Sequence, residues 1–221
     1  MQTHSEENYL KAIWKLVEHS GENVSTNAIA ALVNTRAASV TDMLKKLSDK
    51  KLISYQPYKG VTLTTKGQRV AIEVVRKHRL WEVFLVEQLG YKWDEVHDIA
   101  EQLEHIRSLT LIEKLDKFLG FPKVDPHGDL IPDKSGKISK QQNISLSNLE
   151  KGKNGIMTGV ADHSTVFLRF LDKQGIHLGD KIETREKTIY DQSMEISVNR
   201  KKSFHISYEV AKNILVRKSR S

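Results

Sequence analysis

The sequence predicts a mainly α fold that ends in a small β domain, on three observations. Apolar residues recur at helical spacing from Tyr9 to Leu119, broken by short turns and by one pair of alternating runs. Three of the four prolines fall between Pro122 and Pro132. Beyond them the pattern switches to short runs of period two. At 221 residues, 38% hydrophobic and 29% charged, the chain can build such parts around cores of ordinary size.

Taken in order, Tyr9, Leu10, Ile13, Trp14 and Val17 place a helix over residues 5–18, stopped by Gly21. A second helix covers Thr26–Val33, with Ser25 as its cap, and breaks at Asn34-Thr35. A third runs from Ala37 to Lys50 with Val40, Met43, Leu44 and Leu47 on one face. Two alternating runs, Leu52–Gln56 and Val61–Thr64, are joined by a turn of Pro57, Tyr58, Lys59 and Gly60. Helix, short turn, helix and hairpin is the order of a winged helix-turn-helix, here assigned to residues 1–70. The competing reading is an ordinary small α+β domain.

Charge favours the first reading. Arg36 to Arg69 holds eight Lys or Arg against two Asp, a local balance of +6, whereas Val70 to Phe121 carries −3. A basic block suits a polyanion and an acidic one a cation. The third helix then becomes the element that reads DNA. Arg36, Ala38, Ser39, Thr41 and Asp42 near its start are polar or short enough to approach base edges, and Lys45, Lys46 and Lys59 are placed for phosphates.

A long helix opens at Thr65-Lys66-Gly67 and reaches Leu89; the next runs from Asp94, as its cap, to Arg107. A further helix carries Leu109, Leu111, Ile112, Leu115, Phe118 and Leu119, too apolar for one exposed helix. Its face fits a homodimer contact, or it completes the core of one subunit. Residues 71–122 thus form a helical domain, 123–144 a Pro/Gly-containing linker, and 145–221 a small β-barrel. The barrel strands are expected at Gly155–Val160, Lys181–Arg185, Met194–Val198 and Ser203–Ser207, with one helix at Thr165–Gln174.

The helix from Asp94 carries His97, Glu101, Glu104 and His105 on one face, and the long helix before it carries His78 and Glu82 four residues apart. Each set alone is most simply a solvated charged face. On consecutive helices they can converge as an imidazole and carboxylate set, suited to Mn²⁺, Fe²⁺, Co²⁺ or Zn²⁺. The chain has no cysteine, which excludes thiolate ligands and disulfides and fits a reducing cytoplasm. No apolar run approaches the ~18 residues of a membrane span, and no secretory leader is visible.

These stretches resemble the diphtheria toxin repressor family of iron and manganese regulators. The resemblance is carried by EENYLKAIWKL, ASVTDMLKKLSDKKLI, VTLTTKG, RKHRLWEVFL, WDEVHDIAEQLEHI and VDPHGDLIP, in the family's order over residues 5–133. FLDKQGIHLGDKIE is similar to the SH3-like (FeoA-type) domain of longer members. The resemblance implies a metal-activated homodimeric repressor acting on a near-palindromic operator. It implies one metal site from Asn8, Glu101, Glu104 and His105. A second would use His78, Glu82 and His97, with Asp162 or His163 from the SH3-like domain. Manganese regulators of the family have a carboxylate where Glu101 stands and iron regulators a cysteine, so Mn²⁺ is expected over Fe²⁺. Lys11 departs from the glutamate of the short manganese regulators. The alternatives are a metal-independent winged-helix regulator and a metal-dependent hydrolase. The latter leaves the basic helix-turn-helix unexplained and finds no HExxH motif, phosphate loop or nucleophile elbow.

Overall fold

The structure, a computed structural model, describes residues 2–20, 23–56, 59–139 and 141–219, without the side chains of His19 and Ser20. The expected stop at Gly21 and the Pro57-Tyr58 part of the hairpin turn lie outside the described residues. The chain divides into two compact units. One comprises Met1–Trp81, Ala100–Lys117 and Ile131–Ile138, the other Glu82–Ile99, Phe118–Leu130 and Ser139–Ser221.

The first unit opens with α1 (His4–Ser20), α2 (Thr26–Leu32) and α3 (Ala37–Asp49). The Ser25 hydroxyl caps α2 by accepting the Ala28 N–H at 3.1 Å. The hairpin β1 (Ile53–Gln56) and β2 (Gly60–Leu63) pairs antiparallel from Ile53↔Leu63 to Gln56↔Gly60. A Val24↔Val61 bridge adds a third short edge. Leu10 and Ile13 of α1, Ile29 of α2, and Val40, Leu44 and Leu47 of α3 share one core with Leu52 and Val61. Their spacing of three or four within each helix puts them on one face. α4 (Thr65–Glu87) begins where Gly67 meets the hairpin; a Cβ there would lie 1.9 Å from the Leu52 carbonyl oxygen, so only glycine lets α4 pack this closely. The unit also takes the end of α5 (His97–Leu103) and α6 (Leu109–Phe118) up to Lys117. Arg76 of α4 holds this part together, donating to Asp116 at 2.7 Å and to the Pro132 carbonyl at 2.6 Å.

The second unit is built on an antiparallel sheet in the order β3-β8-β4-β5-β6-β7. Its strands are β3 (Ile144–Ser145), β4 (Asn154–Val160), β5 (Lys181–Lys187), β6 (Met194–Val198), β7 (Lys202–Ile206) and β8 (Ile214–Lys218). Register shifts in β4 at Met157/Gly159 and in β5 at Thr184/Glu186 bend the sheet in the manner of an SH3-like domain. α7 (Thr165–Gln174) follows β4 and covers the core with Phe167, Leu168 and Leu171; α8 (Tyr208–Asn213) precedes β8.

Three expectations need correction. The helix expected over Asp94–Arg107 is only His97–Leu103. Asp94 is not its cap: its carboxylate is buried and accepts from Arg169 Nε at 2.6 Å, which holds the residue in the preceding turn. At the other end the Ile106 N–H turns back to the Leu103 carbonyl, and His105 leaves the helix. The segment read as a linker contains a built turn: Asp125 and His127 are buried, and the Asp125 carboxylate accepts the backbone N–H groups of His127 and Asp129. Gly128, at φ +90°, sits where a Cβ would lie 2.0 Å from the Thr158 carbonyl oxygen, so this turn is pressed on β4. Finally, β3, α8 and β8 have no counterpart among the expected elements.

Candidate metal centres

Within the first unit, α1 and the end of α5 bring acidic and basic side chains together under cover. Glu104 is fully buried at the α5 terminus. Its carboxylate meets His78 Nδ1 at 2.6 Å and Lys11 Nζ at 2.7 Å. Burial raises the Glu104 pKa, but the His78 hydrogen bond and the Lys11 and His78 charges outweigh burial and hold it below its usual value. His105 is turned toward α1, where its Nδ1 lies 2.6 Å from Glu7, and its ring stacks on His4 at 4.4 Å. Lys11 also reaches Glu101 at 3.1 Å. Glu7, Asn8 and Lys11 fall on one face of α1, being three and four residues apart.

Glu101, Glu104 and His105 are therefore gathered as expected. Glu7, unmarked in the sequence, joins them. His78, expected with Glu82 and His97, also reaches this set through its hydrogen bond to Glu104. Asn8 lies beside Glu7, and its Oδ1 is buried with no hydrogen-bond partner among the described residues. A buried carbonyl oxygen left without a donor suits a cation. The cluster fits a hard or borderline divalent metal on donor chemistry, with three carboxylates, imidazole and an amide oxygen.

A second cluster lies within the other unit. Glu82, at the end of α4, faces His97 Nδ1 at 3.4 Å with one oxygen and His127 Nδ1 at 3.5 Å with the other. Glu82, Asp125 and His127 bring ligand atoms within 4.8 Å of one another, all buried. Such separations are also those of neighbouring ligands on one ion. His127 Nε2 donates to the Trp93 carbonyl at 2.8 Å, which turns Nδ1 into the cluster. Burial pushes the imidazole pKa down, but the Glu82 and Asp125 carboxylates and the Trp93 carbonyl outweigh it and raise it to about 9. His163 stacks on His127 at 4.8 Å. Asp162 uses Oδ1 to accept the Ser164 N–H at 2.8 Å ahead of α7. Asp125 and His127 were legible only as part of VDPHGDLIP, because a Pro/Gly-rich stretch carries no helical spacing to mark them.

Of the residues expected to meet DNA, Arg36, Ala38, Ser39, Asp42, Lys45 and Lys59 are exposed, and Thr41 is half-buried with its hydroxyl donating to the Ala37 carbonyl at 3.0 Å. Asp42 lies 3.6 Å from Lys45. Lys46 is engaged elsewhere: with Lys50 it pairs with the fully buried Glu6 of α1, at 3.0 and 2.8 Å. Burial raises the Glu6 pKa, but hydrogen bonds from Lys50 and Lys46 and one involving the Thr3 backbone outweigh burial and lower it to about 2. Neighbouring residues of α1 thus grip different things, Glu6 the helix α3 and Glu7 the first cluster.

A winged helix whose segment Arg36–Arg69 is basic, joined through α1 to a buried carboxylate–imidazole cluster, defines the class of metal-dependent DNA-binding repressors. Comparison with known families agrees: the chain belongs to the diphtheria toxin repressor family. Residues 1–61 match the family model "Iron dependent repressor, N-terminal DNA binding domain", 64–133 match "Iron dependent repressor, metal binding and dimerisation domain", and 144–218 match "FeoA domain". The chain is 33% identical over 125 residues to the HTH-type transcriptional regulator MntR of Oceanobacillus iheyensis, covering 57% of this chain and 84% of that protein. It is 34% identical over 126 residues to the iron-dependent repressor IdeR of Mycobacterium tuberculosis, covering 57% and 54%. Among solved structures, a manganese-dependent transcriptional repressor in complex with manganese superposes with a TM-score of 0.91 at 33% identity, over 97% of this chain and 100% of that one. ScaR with bound Cd²⁺ gives 0.81 at 31% identity, over 97% and 99%. The chain is a metal-dependent transcriptional repressor and not an enzyme. No described helix is long and apolar enough to cross a membrane.

Proposed function

We propose that this repressor controls manganese or iron homeostasis genes, responds to Mn²⁺ in preference to Fe²⁺, and reads a near-palindromic operator as a homodimer in the cytoplasm. One observation carries the mechanism. Glu6 anchors α3 through Lys46 and Lys50, while its neighbour Glu7 faces His105 in the first cluster. In this reading Glu7, Asn8, Glu101, Glu104 and His105, with His78 behind Glu104, hold the activating ion. A bound cation supplies positive charge and a demand for coordination. The ligands from α1 then have to settle against those from α5, and Glu6 passes the resulting position of α1 to α3. The metal-loaded, DNA-competent arrangement gains population by the ion's differential affinity for it.

Glu82, His97, Asp125 and His127 form the second site, with His163 packed on His127. The chain's relatives include both manganese-dependent and iron-dependent repressors. The preference for Mn²⁺ rests on Glu101 and on a ligand set without sulfur. Arg36, Ala38, Ser39, Thr41 and Asp42 present the base-reading face, and Lys45 and Lys59 the phosphate contacts. The functional parts are residues 1–70 for DNA, 71–122 for metal and dimerisation, 123–144 as a docked connector and 145–221 as the SH3-like domain. Leu111 and Phe118, seven residues apart on one side of α6, are 39% and 65% exposed, which leaves α6 an apolar face for the partner subunit.

The test is Glu104→Ala. Operator binding by the unsubstituted protein should rise on Mn²⁺ addition, while the variant should stay at its metal-free level. A variant that still responds to metal would place the regulatory site elsewhere.

A further inference from the structure

One groove of the first unit has no part in reading DNA or in holding metal. It lies between α4, α6 and the Asp133–Gly136 turn and has a volume of about 690 Å³, within the range of small-molecule sites. Ile72 of α4 and Leu109 and Ile112 of α6 give it an apolar lining. The turn that closes it is built. Asp133 accepts the N–H groups of Ser135 and Lys137 at 2.8 and 2.9 Å and the Ser135 hydroxyl at 2.6 Å. Gly136, at φ +81°, sits so close to α4 that a Cβ would lie 3.3 Å from the Ile72 side chain. Arg76 ties the same segment to α4 through the Pro132 carbonyl.

Lys77 lines this groove and is only 4% exposed. Among the described residues its side chain makes no hydrogen bond and no ion pair. A lysine is almost never this buried unless it is paired, because an ammonium taken from water without a counter-charge is costly. Its neighbours are already engaged. Arg76 pairs with Asp116 at 2.7 Å and Lys134 with Glu113 at 3.3 Å, while Asp133 is spent on its own turn. Arg69 and Glu73 are exposed, so water screens their charges. The charge left to act within the groove is that of Lys77.

We propose that this groove binds a small organic anion. The acidic head of the ligand pairs with the Lys77 ammonium, and its apolar body lies on Ile72, Leu109 and Ile112. Arg69, Glu73 and Lys77 follow one another at intervals of four, which puts both cations on one face of α4. Arg69 stands two turns from Lys77, too far to share a small head group, and adds attraction rather than a contact. A buried cation without a partner inside the chain is thereby supplied with one from outside it.

The experiment is an amide NMR titration of the isotope-labelled, metal-stripped full-length protein at fixed ionic strength. One probe is benzenesulfonate, a permanent anion that coordinates metals weakly; the other is benzenesulfonamide, of nearly the same shape but neutral. Benzenesulfonate should give saturable shifts confined to residues 69–77, 109–113 and 133–136, and the sulfonamide should bind about tenfold or more weakly. Lys77→Met, similar in length but apolar, should bind benzenesulfonate about tenfold or more weakly than wild type and the sulfonamide as wild type does. Equal binding of the two probes overturns the proposal, as does a folded Lys77→Met that keeps wild-type affinity for benzenesulfonate. Saturable shifts elsewhere, or none, overturn it as well; none is the result expected if a second copy of the chain fills the groove. If Lys77→Met does not fold by circular dichroism, the two probes on the unsubstituted protein decide.

Discussion

Replacing Glu6 by glutamine should uncouple DNA reading from metal sensing while leaving the metal site intact. Glu6 is fully buried and pairs with Lys46 and Lys50 of α3 at 3.0 and 2.8 Å. Holding its carboxyl at about 2 rather than 4.5 corresponds to about 3 kcal/mol at 1.36 kcal/mol per pH unit. Both lysines keep much of their surface in water, so screening reduces this to roughly 1–2 kcal/mol. The folded-state pKa is depressed, so the contribution is full above pH 4.5 and is lost as pH falls toward 2. Denaturation of the metal-stripped protein at neutral pH should show Glu6→Gln less stable by about that amount. The difference from wild type should shrink across the same acid window. Mn²⁺ affinity should be unchanged, while the gain in operator affinity on adding Mn²⁺ should fall several-fold. A variant with full metal-dependent gain would refute the role given to Glu6 in carrying the signal from α1 to α3.

Two further outcomes follow from the same geometry. Operator affinity should fall steeply with salt, and Lys59→Ala should weaken binding to all DNA alike and lower the salt slope by about one, whereas Ser39→Ala should change preference between sequences; affinity independent of ionic strength would contradict the phosphate contacts. Gly128→Ala should push the 125–129 turn off β4, because its Cβ would meet the Thr158 carbonyl at 2.0 Å and its φ of +90° disfavours a side chain; a loss of about 2 kcal/mol or more is expected, and a neutral effect on thermal stability would show that this packing is not tight.

Much of this architecture is legible in the chain because its signals are local. The α7 helix over Thr165–Gln174 announces itself by Phe167, Leu168 and Leu171 on one face and by Gly175 beyond its end. The cap of α2 at Ser25 is equally visible. What is hidden depends on partners distant in sequence. Asp94 looks like a helix cap until Arg169 takes its carboxylate. Lys46 looks like a phosphate contact until Glu6 claims it. Glu7 sits in an ordinary amphipathic helix, and only the fold brings His105 to it. Glu101, Glu104 and His105 are legible because they cluster in sequence, while Asp125 and His127 lie in a buried turn that composition alone reads as a linker. β3 and β8 are missed because β3 is two residues long and β8 follows the short α8 directly.

The central claim is that divalent metal, bound by these side chains, creates the DNA-competent state. It is tested most directly by measuring operator binding of the metal-stripped protein as Mn²⁺, Fe²⁺, Co²⁺ and Zn²⁺ are added in turn, Fe²⁺ under anaerobic conditions. Affinity for metal rises intrinsically from Mn²⁺ toward the later ions, so the deciding quantity is activation rather than binding. The expected result is weak DNA binding without metal and activation by Mn²⁺ at least as complete as by Fe²⁺. Operator binding of equal strength with and without every metal would contradict it.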